Sequence, residues 1–475
     1  MLNTPGLLYL SARAISAAGN LLAVAIFSRL AGPAEYGHYV LIFAWSLIVY
    51  GFGAQWMRFA YFGVYQSERF GEYVGALAWL LCAGMTIVAV VLTALGAFGF
   101  FEPSFLFAVF ALVCGITLYE AAFEVARTLL SVRGAALSMI LRAVLIVVFG
   151  GLSLWLGGGA RGLAIAIAIA HVLAAGPALM TFSDWRWPRG SRAAALHMLA
   201  YGWPLLLSFG VTAIGQSIDR LLLAHYLGTA ALGPYGVIGD MLRQSFMVLG
   251  EAISLSLVTV AKSHANNGNM AATEITLRRA FNACLATAVF GAAFFIVFGD
   301  VLLRLVLKPD FVGPAHDLIP IFAIAFAFMT MRNFYFAQVI YFTHASYLDL
   351  MVSLLFVIVS TVLSVLLVPA YGTQGAALAL MVGCIISCLA FMAIGRRWYA
   401  LPIDFTALGV MPALAVLFVF SAHTAAALIP DGSVPLVVDG LAFALFGGFA
   451  IHRFGLLSAT PAVSLGNAVP ARVGR

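Results

Sequence analysis

Residues 350–368 read LMVSLLFVIVSTVLSVLLV, nineteen residues without a charge. A run of this length and composition is close to the ~20 residues that cross a bilayer core as a helix. Residues 74–99 make a second such run. Neither alternates apolar and polar side chains in segments of about ten residues, as the strands of a membrane barrel would. Over the whole chain of 475 residues, 64% are hydrophobic and 9% charged. A water-soluble domain carries roughly a quarter charged residues. The surface of this chain therefore faces lipid. Helices are the spanning structure that fits, because each satisfies its own backbone hydrogen bonds. The fold class expected is an all-α integral membrane protein.

Fourteen apolar segments follow one another. The first seven are 6–29, 37–63, 73–100, 104–128, 135–157, 161–182 and 197–226. The second seven are 232–260, 277–305, 315–342, 348–368, 373–394, 406–429 and 434–453. Breakers separate them, among them Ala31-Gly32-Pro33, Glu102-Pro103, Gly157-Gly158-Gly159, Gly313-Pro314, Pro369 and Pro430-Asp431-Gly432. The first apolar stretch lacks a basic leader and a small-residue cleavage site, so it reads as the first spanning helix.

Of the 24 Lys and Arg, 14 fall in the loops and tails of one side and four (Arg29, Arg161, Arg304 and Lys308) on the other. The positive-inside rule puts the rich side in the cytoplasm, with both termini. This bias accounts for the net charge of +6 without a nucleic-acid partner. The membrane implied is a bacterial inner membrane, given the resemblance described below.

The chain repeats itself. Gly32, Gly37 and Tyr39 recur as Gly228, Gly233 and Tyr235, at a constant offset of 196. Gly159-Ala-Arg-Gly162-Leu-Ala164 recurs as Gly372-Thr-Gln-Gly375-Ala-Ala377. The division expected is a six-helix lobe over 1–192, a second over 193–400, a helix pair over 401–455 and a cytoplasmic tail over 456–475. Parallel repeats of this kind are a transporter architecture, with the substrate site between the lobes.

Six arginines remain inside spans: Arg13, Arg58, Arg142, Arg220, Arg243 and Arg332. Glu120, Glu124, Asp219, Asp240 and Glu251 keep them company. An ionisable group in mid-membrane marks a functional site until its partner is known. The groups fall on shared helix faces at about 100° per residue. Arg13, Ser16 and Asn20 make one stripe, and Gln55 and Arg58 a second. Thr117, Glu120, Glu124 and Arg127 form another, and Ser138 aligns with Arg142. Gln216, Asp219 and Arg220 cluster, as do Asp240, Arg243 and Glu251. A hydrophilic cavity is the expectation, its arginines matched to phosphate oxygens. Trp56, Tyr61, Tyr65 and Gln66 beside Arg58 would suit a sugar, or serve as interface anchors.

Several structural alternatives stay open. Arg58 and Arg332 also fit snorkelling positions near helix ends. Asp240 and Arg243 fit an intrahelical pair. Asp219 and Arg220, adjacent and pointing ~100° apart, require at least one bond to another helix. Glu120 and Glu124 form either a proton or cation site or partners for Arg142. Cys384 and Cys388, one turn apart, read as small buried hydrophobes. The sequence shows no nucleotide-binding, zinc or nucleophile-elbow motif, so no enzyme activity and no cofactor is expected.

The segments SARAISAAGNLLAVAIFSRLAGPAEYGHYV (11–40) and SIDRLLLAHYLGTAALGPYG (217–236), with the two Gly-x-x-Gly-x-Ala helix starts, carry a family resemblance. The chain resembles, over nearly its whole length, the oligosaccharide-lipid flippases of the multidrug/oligosaccharidyl-lipid/polysaccharide exporter superfamily. That resemblance implies two six-helix bundles working by alternating access. It implies a polyprenyl-diphosphate-linked glycan as cargo, moved to the outer leaflet for surface or exopolysaccharide synthesis. It also implies work beside a polysaccharide polymerase and chain-length proteins. Asp219 matches an acidic position on the family's helix 7, and Arg13, Arg58 and Arg220 match its cavity arginines. Arg142, Arg243, Arg332, Asn20 and Gln216 are added by their place on polar faces. Glu120, Glu124, Asp219, Asp240 and Glu251 are the candidates for coupling to a proton or sodium gradient. A peptidoglycan-precursor flippase and a cation-coupled multidrug exporter are the alternatives. A membrane scaffold for glycan enzymes would leave the charges inside the spans unexplained.

Overall fold

The computed structural model describes residues 4–181, 190–343, 347–428 and 434–456. The breaker 430–432, Arg186, Arg189, His344, Arg472, Arg475 and most of the tail lie outside them. The described residues form helices and their turns, as the composition requires. The first six passes are α1 (Thr4–Leu30), α2 (Pro33–Val64), α3 (Ser67–Ala97), α4 (Pro103–Thr128), α5 (Val132–Trp155) and α6 (Gly159–Leu179).

The seventh pass, α7, starts as Arg192–Gly215, breaks at Gln216 and Ser217, and resumes over 218–227. Gly228 then turns the chain with φ 78° and ψ 179°, a conformation that only glycine adopts without strain. The eighth pass, α8 (229–266), follows at once, and α9 is Met270–Val306. A short helix, Pro309–His316, leads into α10 (Ile319–Tyr341). The helix Tyr347–Gly395 holds two passes, α11 (347–371) and α12 (373–395), joined at Gly372 with φ 58°. The terminal pair is α13 (Phe405–Leu428) and α14 (Val434–Arg453).

Fourteen passes among the described residues agree with the fourteen apolar segments. One expectation is corrected. Pro369 does not end a helix, for α11 runs through it, and the chain turns at Gly372. Proline tolerates the last turn of a helix in a membrane, where neighbours satisfy the freed backbone groups, and only the glycine can take the positive φ.

Among the first six helices, α1 packs on α5, α5 on α6 and α4 on α6. Among the later ones, α9 packs on α10 and α10 on the α11–α12 pair. The most extensive contacts between these groups set α2 along α8 and α7 along the second half of α2; α1 also reaches α8, and α3 reaches α7. Close packing along α7 is made by small residues. Gly202 leaves room for Trp56, and Gly210 for Phe52.

The terminal pair docks on α9 through aromatic rings. Phe418 of α13, fully buried, lies 6.3 Å from Phe298 and 5.4 Å from Phe443 between ring centroids. Asp404 starts α13: its Oδ1 accepts the N–H groups of Thr406 and Ala407, each at 3.1 Å. Its Oδ2 accepts from Asn282 Nδ2 of α9 at 3.1 Å. Burial opposes this carboxylate, yet the Asn282 amide and the two N–H donors hold it below the ordinary aspartate range. Its contribution is therefore present above the unfolded value near ~3.9 and lost as pH falls through the lower folded value. Asp404→Ala should cost about 1 kcal/mol at neutral pH and progressively less in acid. Thermal unfolding in detergent at both conditions checks this, and equal Tm values at neutral pH would contradict it.

Candidate functional site

The break in α7 lies beside two buried charges, Asp219 and Arg220. Ser217 has non-helical backbone angles, and the resumed helix presents its N-terminal turn with Asp219 in it. Broken helices in membranes expose backbone groups that line binding sites. Asp219 and Arg220 are both 5% exposed. At least one bond to another helix was expected, and both make one, to α8. Tyr235 donates its hydroxyl to Asp219 Oδ2 at 2.6 Å. Arg220 grips Asp240 with two nitrogens, at 2.6 and 3.4 Å. Arg243 reaches the same carboxylate at 2.8 Å. The i,i+3 pair expected between Asp240 and Arg243 exists, and Arg220 makes it a triad.

A cavity of about 160 Å³ opens beside this triad. Its lining includes Gln216, Asp219, Arg243, Arg332, Asp349 and Ser353. Asp219 Oδ1, Ser217 Oγ and Arg332 Nε are buried without a hydrogen-bond partner among the described residues. Polar atoms so buried are costly unless something meets them. Arg332 donates to Ser353 Oγ at 3.1 Å and lies over the rings of Phe356 and Phe391, 5.6 and 5.7 Å from their centroids. It does not snorkel, because it is clamped between rings inside the bundle.

A second group of charges lies among α1, α2, α4 and α5. Arg58 pairs with Glu120 across α2 and α4, which also removes the snorkelling alternative for Arg58. Glu124, 2% exposed, pairs with Arg127 at 3.2 Å. Arg142 donates to Ser16 Oγ at 3.3 Å and lies over the Tyr119 ring at 4.9 Å. The alternative in which Arg142 neutralises the two glutamates is therefore corrected: each acid takes a different arginine. Arg13 of α1 pairs with Glu251 of α8, joining the two groups of helices. Asn20, half-buried, follows Ser16 along α1.

Trp56 and Tyr61 are core residues, 5% and 0% exposed, and Tyr61 bonds to Thr128 at 2.9 Å. They do not form a sugar-facing wall: Gly202 of α7 leaves room for the Trp56 ring, and Tyr61 turns to Thr128 of α4. Asp349 and Ser353 escape a reading of charged faces, because Asp349 sits at a helix start where an acid is ordinary. A separate apolar groove of about 390 Å³ lies between α2, α3 and α4, walled by Trp45, Phe52, Trp56 and Phe105.

These features define a multi-pass membrane protein with charge clusters inside its helical bundle. No family model and no curated protein matches the chain. Among solved structures, it superposes on "Lipid II flippase MurJ, inward closed conformation" with a TM-score of 0.72. That match covers 94% of this chain and 99% of the other at 12% identity. An inward-facing multidrug resistance MATE family transporter gives a TM-score of 0.61 at 14% identity, covering 82% and 97% of the two chains. A MOP superfamily transporter from Pyrococcus furiosus, described as having a binding pocket of reverse polarity, gives 0.54 at 16% identity, covering 83% and 94%. At these identities the likeness is one of fold: the chain has the fold of the MOP superfamily transporters and flippases.

Proposed function

We propose that this protein flips a polyprenyl-diphosphate-linked oligosaccharide from the cytoplasmic to the outer leaflet of a bacterial inner membrane, feeding surface or exopolysaccharide synthesis. The observation that carries the proposal is the set of six arginines inside the spans, with Arg332 aimed into a cavity and one nitrogen unmatched. A guanidinium held between two rings keeps its charge and its planar fork for phosphate oxygens. In this reading 1–192 and 193–400 act as two lobes, with the helix pair 401–455 and the tail 456–475 accessory. Both termini are cytoplasmic, and the arginines hold the diphosphate. The apolar groove beside α2 gives a hydrocarbon tail a path outside the charged region. Asp219, with an unmatched oxygen, is the leading group for coupling to protons or sodium, ahead of Glu120, Glu124, Asp240 and Glu251, which all hold arginines. A polymerase and chain-length proteins are the natural partners.

A deletion strain should accumulate lipid-linked glycan on the cytoplasmic side, read with a membrane-impermeant probe. The parent chain should restore export, and Arg332→Ala should not, at equal abundance in the membrane. Export through Arg332→Ala at the parental rate would sink the cationic-cavity model. The fold shared with the lipid II flippase favours one alternative cargo, the peptidoglycan precursor. Rescue of a precursor-flippase depletion strain would select it. A drug exporter for cationic cargo fits less well, because three arginines (Arg220, Arg243 and Arg332) line the cavity against two acids, Asp219 and Asp349.

A further inference from the structure

At the end of the bundle that carries Gly32, α2 and α8 touch backbone to backbone. A Cβ on Gly37 would lie 1.8 Å from the carbonyl oxygen of Thr229. A Cβ on Gly233 would lie 2.1 Å from the carbonyl oxygen of Pro33. Under the repeat offset of 196, Pro33 corresponds to Thr229 and Gly37 to Gly233. The contact is therefore reciprocal, as in an isologous interface, and a local two-fold axis runs through it. Two helices that meet without intervening side chains can rock on each other and stay packed.

A second contact at the same end lacks this symmetry. Arg29, the penultimate residue of α1, donates Nε to the carbonyl of Val306 at 3.0 Å and Nη2 to the carbonyl of Leu305. Both oxygens belong to the last turn of α9, where carbonyls have no helical partner and carry the negative end of the dipole. The repeat-equivalent position is His225, whose ring packs on Tyr226 instead. Edge-on packing of Tyr36 against Phe311, 6.1 Å between centroids, adds a third contact across the same seam. Only Ala31 and Gly32 separate α1 from α2. The end of α1 therefore cannot move away from α9 without moving the start of α2, which carries the glycine crossing.

We propose that Arg29 is the latch of the exit at this end of the bundle, with the Gly37–Gly233 crossing as its pivot. The latch holds α1 to α9 in the conformation seen here and must release before cargo leaves. Its bonds are exposed to water, so they are weak enough to open in each cycle. The assignment rests on the transport reading, but its test needs no cargo.

The five native cysteines are replaced and one is introduced by Gln216→Cys, at an exposed position lining the cavity. An impermeant maleimide is applied from outside intact cells. Arg29→Ala should raise the labelling rate about fivefold, equivalent to about 1 kcal/mol of lost charge–dipole contact. Arg29→Lys keeps the charge but cannot span two carbonyls with a fixed fork, and should label faster than the parent too. Should Arg29→Ala accumulate poorly, the lysine variant carries the test. Parental labelling rates in the well-folded variants would overturn the latch. Glycan export is read separately in chains that keep Gln216: faster labelling of the Arg29 variants together with no export by the parent chain would keep the latch and remove the cargo reading.

Discussion

Arg220→Ala is expected to lower stability by about 3 kcal/mol or more, because it leaves part of a buried charge system unmatched. Arg220 makes the only two-nitrogen grip on Asp240 among the described residues, and its side chain is 7% exposed. Arg243 remains on the carboxylate, yet it shares one oxygen with Arg220 rather than replacing it. Arg220→Lys should recover part of the loss, since a lysine supplies charge without the fork. Combining Arg220→Ala with Asp240→Ala should cost less than the two separate losses added together, as for any coupled pair. Thermal unfolding of the parent, the three single variants and the double variant in detergent measures this. The outcome also separates structure from transport. A variant that loses export at an unchanged Tm would assign Arg220 to the cargo; one that loses both makes Arg220 the brace that orients Asp219 and the cavity.

Gly37→Ala and Gly233→Ala should each be severely destabilising, by about 3 kcal/mol or more, and by similar amounts. The equality matters as much as the size. Each new methyl group would be driven into a carbonyl oxygen of the opposite helix, at 1.8 and 2.1 Å, so α2 and α8 must separate in both cases. Alanine at Gly71, where a Cβ meets open space, is the control and should be neutral. Denaturation in detergent reads the difference. A wild-type Tm for Gly37→Ala would show that the two helices part readily, and the reciprocal contact would lose its role as a pivot.

The sequence by itself determined how many times this chain crosses the membrane. Uncharged runs such as 350–368 admit one structure in hydrocarbon, because lipid offers the backbone no hydrogen bonds. It also showed which residues carry the repeat and which charges lie inside spans, since period and composition are local properties of a helix. Even the bond from Asp219 or Arg220 to another helix followed from their ~100° divergence. The choice of partner did not. Arg58 takes Glu120, Arg142 takes Ser16 and the Tyr119 ring, and Arg332 lies between two phenylalanines. These pairings join helices distant in sequence, and a helical face records only that it is polar. Trp56 teaches the same lesson from the apolar side: Gly202 on α7 leaves room for its ring in the core, and nothing near it in sequence announces it. The latch at Arg29 is the extreme case. Its partners are backbone carbonyls at the end of α9, which every helix possesses and no side chain encodes. Only the packing of α1 against that end selects them.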